Sequence, residues 1–272
     1  MEPMDLHTHS NMSDGTCTPS LLVEKAKAAG LGILALTDHD CIQGIPEAME
    51  AGERLGIRVI PGLELDTEFH TELHMLGLGV DPQHPALQEF AARNAQRRQA
   101  RNEAILNQLA AAGVDVRPFF PAQHGTPTRL HVALALVAGG FAPTIGEAFR
   151  NYLFRGTPGY VETKRILPED AIALIHQAGG LAVLAHPCKL KADVAALVAR
   201  LHPAGLDGLE AFYPTATPGQ RDTYISMARQ YGMLLTCGSD FHGDNRPDNR
   251  LGCTWQQSPL LEPVYTWLVQ RS

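Results

Sequence analysis

An α/β barrel interrupted by a helical insertion is the fold class that this sequence predicts. Three observations predict it. Strand-like apolar runs alternate with amphipathic helical patterns from Met4 to Leu65. Between Asp81 and Glu162 the pattern is helical throughout, and the alternation then resumes. A length of 272 residues suits one barrel-sized domain with a modest insertion. The expected boundaries are 1–81 and 163–272 for the barrel and 82–162 for the insertion.

MDLHTHS opens the chain as a strand. PSLLVEKAKAAG follows as an amphipathic helix, with Thr18 or Ser20 as its cap and Gly30 as its stop. LGILALTDHD is a buried strand, GIPEAMEAGERLG a helix and IRVIPGLELD a third strand. ELHMLGLGV (72–80) comes only a handful of residues after Leu65. A parallel crossover needs a dozen or more residues, so this strand is antiparallel and starts beside the end of the preceding one. PALQEFAARNAQRRQARNEAILNQLAAAG is a long helix or a helix pair ended by Gly113, and TRLHVALALVAGG and TIGEAFRNYLFRG are short helices. PEDAIALIHQAGG, VAALVARLH and TPGQRDTYISMARQYG are helices alternating with the strands LAVLAHP, LDGLEAF and MLLTCGSDFH. LEPVYTWLVQ is a closing helix.

Composition narrows the function classes. With 44% hydrophobic and 19% charged residues, a packed core is expected rather than disorder. A net charge of −7 argues against duplex nucleic acid as a partner. A small phosphorylated ligand stays compatible, because bound divalent ions reverse the local sign. The five cysteines form no CxxC pair, and no signal-peptide pattern precedes them. Reduced thiols and a cytoplasmic location are expected. The longest apolar run, LHVALALVAGGF (130–141), is too short to span a membrane.

Side chains alternate along a strand, so His7 and His9 project from one side of the first strand. The second strand ends at His39, the third at Glu64, LAVLAHP at His186, and the last at Asp240 and His242. In a closed α/β barrel such ends meet at one mouth. His74 starts the antiparallel strand and is carried to the same mouth, and Asp14 lies in the loop after the first strand. The candidate metal ligands are therefore His7, His9, Asp14, His39, Glu64, His74, His186, Asp240 and His242. One transition ion takes only about four to six ligands. The set suits two or three divalent ions of zinc, manganese or iron.

Other groups read as structural. His70, His84, His124, His176 and His202 fall in loops or on helices. Asp38 and Asp40 flank His39 and are candidate acceptors that orient it. Glu210 ends LDGLEAF and reads as a strand cap rather than a substrate ligand. Cys41, Cys188 and Cys237 lie near ligands and read as small buried fillers. Arg93, Arg97, Arg98 and Arg101 read as solvated helix residues.

DLHTHS-x-x-SDG, TDHD, PGLE, H-x-LGLG, AHP and GSDFH run in this order from residue 5 to 242. They resemble the polymerase and histidinol phosphatase (PHP) family. The resemblance implies a distorted (β/α)7 barrel and a trinuclear centre. One ion would be held by His7, His9, Glu64 and Asp240, a second by Glu64, His74 and His186, and a third by Asp14, His39 and His242. HPC stands here where the family usually has HPG. Manganese is the expected metal, with iron or zinc accepted by the same ligands.

Phosphate ester hydrolysis suits such a centre, since divalent ions activate water and neutralise phosphate oxygens. Asp240 is the candidate proton acceptor. His9, His39 and His242 are candidates to stabilise or protonate the leaving alkoxide. The insertion resembles that of PHP phosphoesterases acting on 3′,5′-nucleoside bisphosphates, some of whose relatives are 5′-to-3′ exoribonucleases on short RNA. Its basic groups Arg129, His131, Arg155 and Lys164 are candidate contacts to a second phosphate. The expected activity is hydrolysis of the 3′-phosphate of a nucleoside bisphosphate, with short 5′-phosphorylated RNA as an extension. Histidinol phosphate and cyclic phosphates are rival substrates of the same class. A non-catalytic metal-binding scaffold is the rival of a different class.

Overall fold

Seven strands form one sheet whose order in space is their order in sequence. They are β1 (Met4–Thr8), β2 (Ile33–Leu36), β3 (Arg58–Thr67), β4 (Leu73–Leu78), β5 (Leu181–Leu184), β6 (Gly208–Phe212) and β7 (Leu234–Cys237). The computed structural model of the chain describes residues 1–120 and 128–270. His124, read above as a surface or structural group, lies outside them.

β1, β2 and β3 are parallel, as are β5, β6 and β7. β4 runs antiparallel to both its neighbours, pairing Asp66 with His74 on one side and Met75 with Leu184 on the other. The sheet nearly closes on itself. Thr8 bridges Phe241 in parallel, and the His9 N–H donates to the Phe241 carbonyl at 2.9 Å. A nearly closed barrel of seven strands is the architecture expected, and β4 is its distortion.

The helices are α1 (Pro19–Ala28), α2 (Ile45–Leu55), α3 (Pro85–Ala111), α4 (Arg129–Ala138), α5 (Ile145–Ala148), α6 (Pro168–Gln177), α7 (Val194–Leu201), α8 (Pro218–Tyr231) and α9 (Glu262–Gln270). Local chemistry explains their limits. Thr18 caps α1 by accepting from the Leu21 N–H at 3.2 Å, whereas the Ser20 N–H donates to Glu47. Gly30 follows α1 with φ +80°, a conformation that costs glycine little. Leu22, Val23 and Ala26 form the buried stripe of α1. β1, β2 and β5 are buried along their whole length, as strands between helices and a filled barrel must be.

The chain divides into two compact units, Met1–Ala91 with Arg165–Ser272, and Ala92–Lys164. The division falls within α3. The first unit holds the sheet and a core that includes Leu6, Leu34, Leu63, Met75, Val183 and Leu209. The second has its own core, built on Ile105, Leu109, Val132, Leu136 and Leu153. No strand occurs among its described residues.

α3 is one helix of 27 residues rather than a pair. It corrects one expectation: Arg98 and Arg101 are buried, while Arg93 and Arg97 are exposed. Positions 98, 101, 105 and 109 lie on one helical face, so both arginines continue the buried stripe of Ile105 and Leu109. The Arg101 guanidinium donates to Asn102 Oδ1 at 3.2–3.3 Å. TIGEAFRNYLFRG becomes α5 and a single π-turn over Phe149–Leu153. No helix among the described residues is long and apolar enough to cross a membrane.

Candidate metal centre

The barrel carries nine metal-capable side chains to one place, and all nine are buried. His7 lies in β1 and His9 follows its end. His39 follows β2 and bridges Glu64 of β3. The antiparallel register sets His74 of β4 beside Asp66, at the end of β3. His186 lies two residues beyond β5, and Asp240 and His242 follow β7. Asp40, His186 and Asp240 have φ of +50°, +29° and +54°, and among the described residues they are the non-glycine residues with positive φ. Such conformations are unfavourable for residues with a Cβ and cluster where function demands them.

Asp14 sits in a turn drawn tightly over β1. A side chain on Gly15 would run into the His9 carbonyl. Asp38 accepts from the Ser10 N–H at 2.8 Å and from the Ser10 and Ser13 hydroxyls at 2.6 Å each. Its role is thus to tie down the loop that carries Asp14, rather than to orient His39. Asp40 Oδ1 accepts from the Asp66 N–H at 3.1 Å.

The ligand atoms fall into three groups, each with all its atoms within 4.8 Å of one another: His9, Asp14, His39 and His242; His7, His9, Glu64 and Asp240; and His39, Glu64 and His74. His9, His39 and Glu64 each belong to two groups, so the groups are contiguous. His186 joins through Glu64, whose Oε1 lies 2.8 Å from both His186 Nε2 and His74 Nδ1. His7 Nε2 and His9 Nε2 are 3.1 Å apart, and Glu64 Oε2 is 3.2 Å from each.

This donor set fits divalent cations. Among the described residues, His9 Nδ1 and His186 Nδ1 are buried without a hydrogen-bond partner, a costly state that a bound cation relieves for those facing it. Burial would raise the Glu64 carboxyl, but His39, His7 and His74 outweigh it and hold it well below the usual carboxylate range. Burial likewise opposes ionisation of Asp14 and Asp240, and neighbouring histidines again prevail. The carboxylates are therefore charged and ready to ligate. Imidazole and carboxylate donors without thiolate suit manganese, iron or zinc.

Several residues around the centre went unremarked in the sequence. Asp66 Oδ1 lies 3.3 Å from both His39 Nδ1 and His74 Nε2. Its signal was its position two residues after Glu64, on the same strand face. Asp240 Oδ2 accepts from the Tyr213 hydroxyl at 2.7 Å, from Lys189 Nζ at 3.3 Å and from Arg246 Nη1. Burial and the Asp240 charge push the Tyr213 phenol far up, so it stays a donor. Asn245 and Asn249 donate to the carbonyls of Asp14 and Asp240. Glu210, read as a strand cap, is fully buried against His7.

The remaining candidates lie in the second unit. Arg129 is the first residue of α4, with its guanidinium 5.8 Å from the Phe149 ring centroid. His131 Nδ1 accepts from the Thr128 N–H at 3.0 Å and completes a capping box, so one ring nitrogen serves the helix. Arg155 is exposed and pairs with Glu162 at 2.6 Å, and Lys164 is exposed. In the first unit His176 pairs with Asp207 at 2.8 Å, and His202 meets the Tyr231 carbonyl. His70 is exposed beside Phe69, and His84 is half-buried. Cys41 and Cys237 are buried and Cys188 is half-buried.

The comparisons with known proteins agree with this geometry. A family model described as PHP domain matches residues 5–154. The 5′-3′ exoribonuclease Rnm of Salmonella typhimurium is 39% identical over 249 residues, 88% of this chain and 84% of that protein. The 3′,5′-nucleoside bisphosphate phosphatase of Chromobacterium violaceum is 33% identical over 280 residues, covering 100% of this chain and 98% of that protein. A solved structure of an amidohydrolase from Chromobacterium violaceum, with bound sulfate and no metal, superposes with a TM-score of 0.87 at 32% identity, covering 99% of this chain and 96% of that one. With the motif order, the barrel and the buried ligand cluster already in place, these matches establish that the chain belongs to the PHP domain family and is a metal-dependent phosphoesterase.

Proposed function

We propose that this phosphoesterase removes the 3′-phosphate of 3′,5′-nucleoside bisphosphates and extends to short 5′-phosphorylated RNA, with manganese as its metal. The observation that carries the reading is the contiguous ligand cluster joined through Glu64, with Lys189 and Arg246 beside it on Asp240. A polynuclear carboxylate–imidazole centre edged by two cations suits a phosphate dianion. The names of the relatives from Salmonella and Chromobacterium point to nucleotides as the carrier of that phosphate.

Divalent ions held by the nine ligands would supply Lewis acidity and a water of lowered pKa. The residues do the rest. Asp240 Oδ1 faces His7 at 3.5 Å and His9 at 3.4 Å, while Oδ2 is held by Tyr213, Lys189 and Arg246. Asp240 is thereby fixed with one oxygen toward the cluster, where it accepts the proton of the attacking water. Stabilisation of the leaving alkoxide is assigned to the set His9, His39 and His242, and the alkoxide takes its proton from solvent. Lys189 and Arg246 are about two-fifths exposed, so solvent and substrate reach them. Both are positioned to share a transferring phosphoryl group's charge. On the sequence pattern, Arg129, supported by His131, Arg155 and Lys164, is the proposed contact to the second phosphate.

The test is phosphate release by manganese-reconstituted protein from adenosine 3′,5′-bisphosphate, AMP and histidinol phosphate at equal concentration. The expected result is strong preference for the bisphosphate. Arg129→Ala should lower kcat/KM for the bisphosphate by about 10-fold or more, the scale of a lost charged hydrogen bond, and leave an aryl phosphate nearly unaffected. Preference for histidinol phosphate, or equal loss on both substrates, would contradict the assignment.

A further inference from the structure

Glu210 stands on β6 and belongs to none of the three ligand groups. Its side chain is fully buried, and both of its oxygens are used. Oε1 lies 3.0 Å from His7 Nδ1, and Oε2 accepts from the His186 N–H at 2.7 Å. One carboxylate therefore touches ligands that come from β1 and from the end of β5. These two rings stack, with centroids 5.6 Å apart and planes 25° from parallel.

Each contact has a chemical consequence. A carboxylate opposite Nδ1 favours hydrogen on that nitrogen, which leaves the Nε2 lone pair for the cluster. Nε2 is the atom that faces His9, Glu64 and Asp240. His186 holds φ at +29°, a conformation that surrounding contacts must enforce. The hydrogen bond from its N–H to Glu210 is such a contact.

A second observation comes from the end of β7, the strand paired with β6. A Cβ added to Gly238 would strike Glu210 Oε1 and His7 Cβ at once, and would come within 3.1 Å of the His7 backbone nitrogen. The glycine of GSDFH thus leaves the space in which Glu210 reaches His7. The cap reading of Glu210 explains neither this clearance nor the double contact.

We propose that Glu210 is a positioning residue of the metal centre: it fixes His7 as an Nε2 ligand and clamps the strained backbone of His186, through the opening that Gly238 leaves. The proposal rests on the metal-centre reading above. It is distinct from a general contribution to folding, because the predicted loss is in metal affinity.

The experiment titrates Mn²⁺ into chelator-stripped protein and reads free Mn²⁺ by electron paramagnetic resonance. It compares the unaltered chain with Glu210→Gln and Gly238→Ala. Circular dichroism and urea midpoints of the metal-free proteins are measured in parallel. Glutamine keeps the volume of Glu210, but its amide cannot accept from both His7 and the His186 N–H. The expected result is Mn²⁺ affinity weakened about 10- to 100-fold in Glu210→Gln, with an unchanged circular dichroism spectrum and activity recovered at high Mn²⁺. Gly238→Ala should shift affinity in the same direction, and it decides the matter if Glu210→Gln fails to fold. Unchanged affinity in folded variants, even with a lowered urea midpoint, overturns the proposal and leaves Glu210 a structural cap. Failure of the unaltered chain to bind Mn²⁺ overturns the metal-centre reading itself.

Discussion

His39 illustrates how neighbouring residues set the state of a single ligand. Burial opposes its protonation, but Glu64, Asp14 and Asp66 outweigh burial and lift its pKa to about 10. In metal-free protein it carries a proton at neutral pH. Its folded pKa exceeds the unfolded value near 6.5. The stability it contributes is therefore complete below about pH 6.5 and is lost as pH rises through about 10. A metal ion needs the neutral imidazole, so binding must expel that proton. Mn²⁺ affinity should accordingly rise about tenfold per pH unit from this group alone between pH 7 and 9. Calorimetry in buffers of different ionisation heat should register proton release. A pH-independent affinity with no proton release would contradict this account of His39. The residue scale also shows which groups sequence can expose. His7 and His9, or Asp240 and His242, announce themselves by two-residue spacing at strand ends. Lys189, Tyr213 and Arg246 do not. They come from three separate segments and meet at Asp240 Oδ2, a meeting that exists only once the barrel closes.

At the scale of elements, connection length was the most informative signal. Five residues separate β3 from β4, and only an antiparallel turn fits so short a link. That turn sets His74 beside Asp66 and so delivers a ligand from the start of a strand. Cap chemistry was legible at α1, where Thr18, one of the two caps the sequence offered, accepts from the Leu21 N–H. Thr217 and Gln220 form a reciprocal box at the start of α8: Thr217 Oγ1 accepts from the Gln220 N–H at 3.3 Å, and Gln220 Oε1 accepts from the Thr217 N–H at 3.0 Å. Thr217→Ala should cost about 1 kcal/mol in urea unfolding, with Mn²⁺ content unchanged because α8 supplies no ligand. A shift under a few tenths of a kcal/mol would show that the box contributes nothing. α3 marks where the pattern misleads. Arg98 and Arg101 fall on the buried stripe, and a periodicity drawn from apolar residues alone assigns them to solvent.

At the scale of the whole chain, a net charge of −7 coexists with a substrate that is itself an anion. The metal centre resolves this, since divalent ions in a cluster of carboxylates and imidazoles invert the local potential. Barrel topology explains why the ligands are spread from His7 to His242 and still meet: parallel strands all end at one rim, and the antiparallel β4 begins there. That convergence was readable from strand-end residues before any coordinate. The contact between Glu210 and His7 was not, since 203 positions separate them and Gly238 must leave room. The central claim is a polynuclear centre rather than a single site, and one titration tests it most directly. Chelator-stripped protein is loaded with increasing equivalents of Mn²⁺, and phosphate release from adenosine 3′,5′-bisphosphate is followed at each step. No activity without metal, and activity that climbs only as a second equivalent binds, is the predicted result. Full activity in the stripped protein, or saturation at one equivalent, would contradict the account.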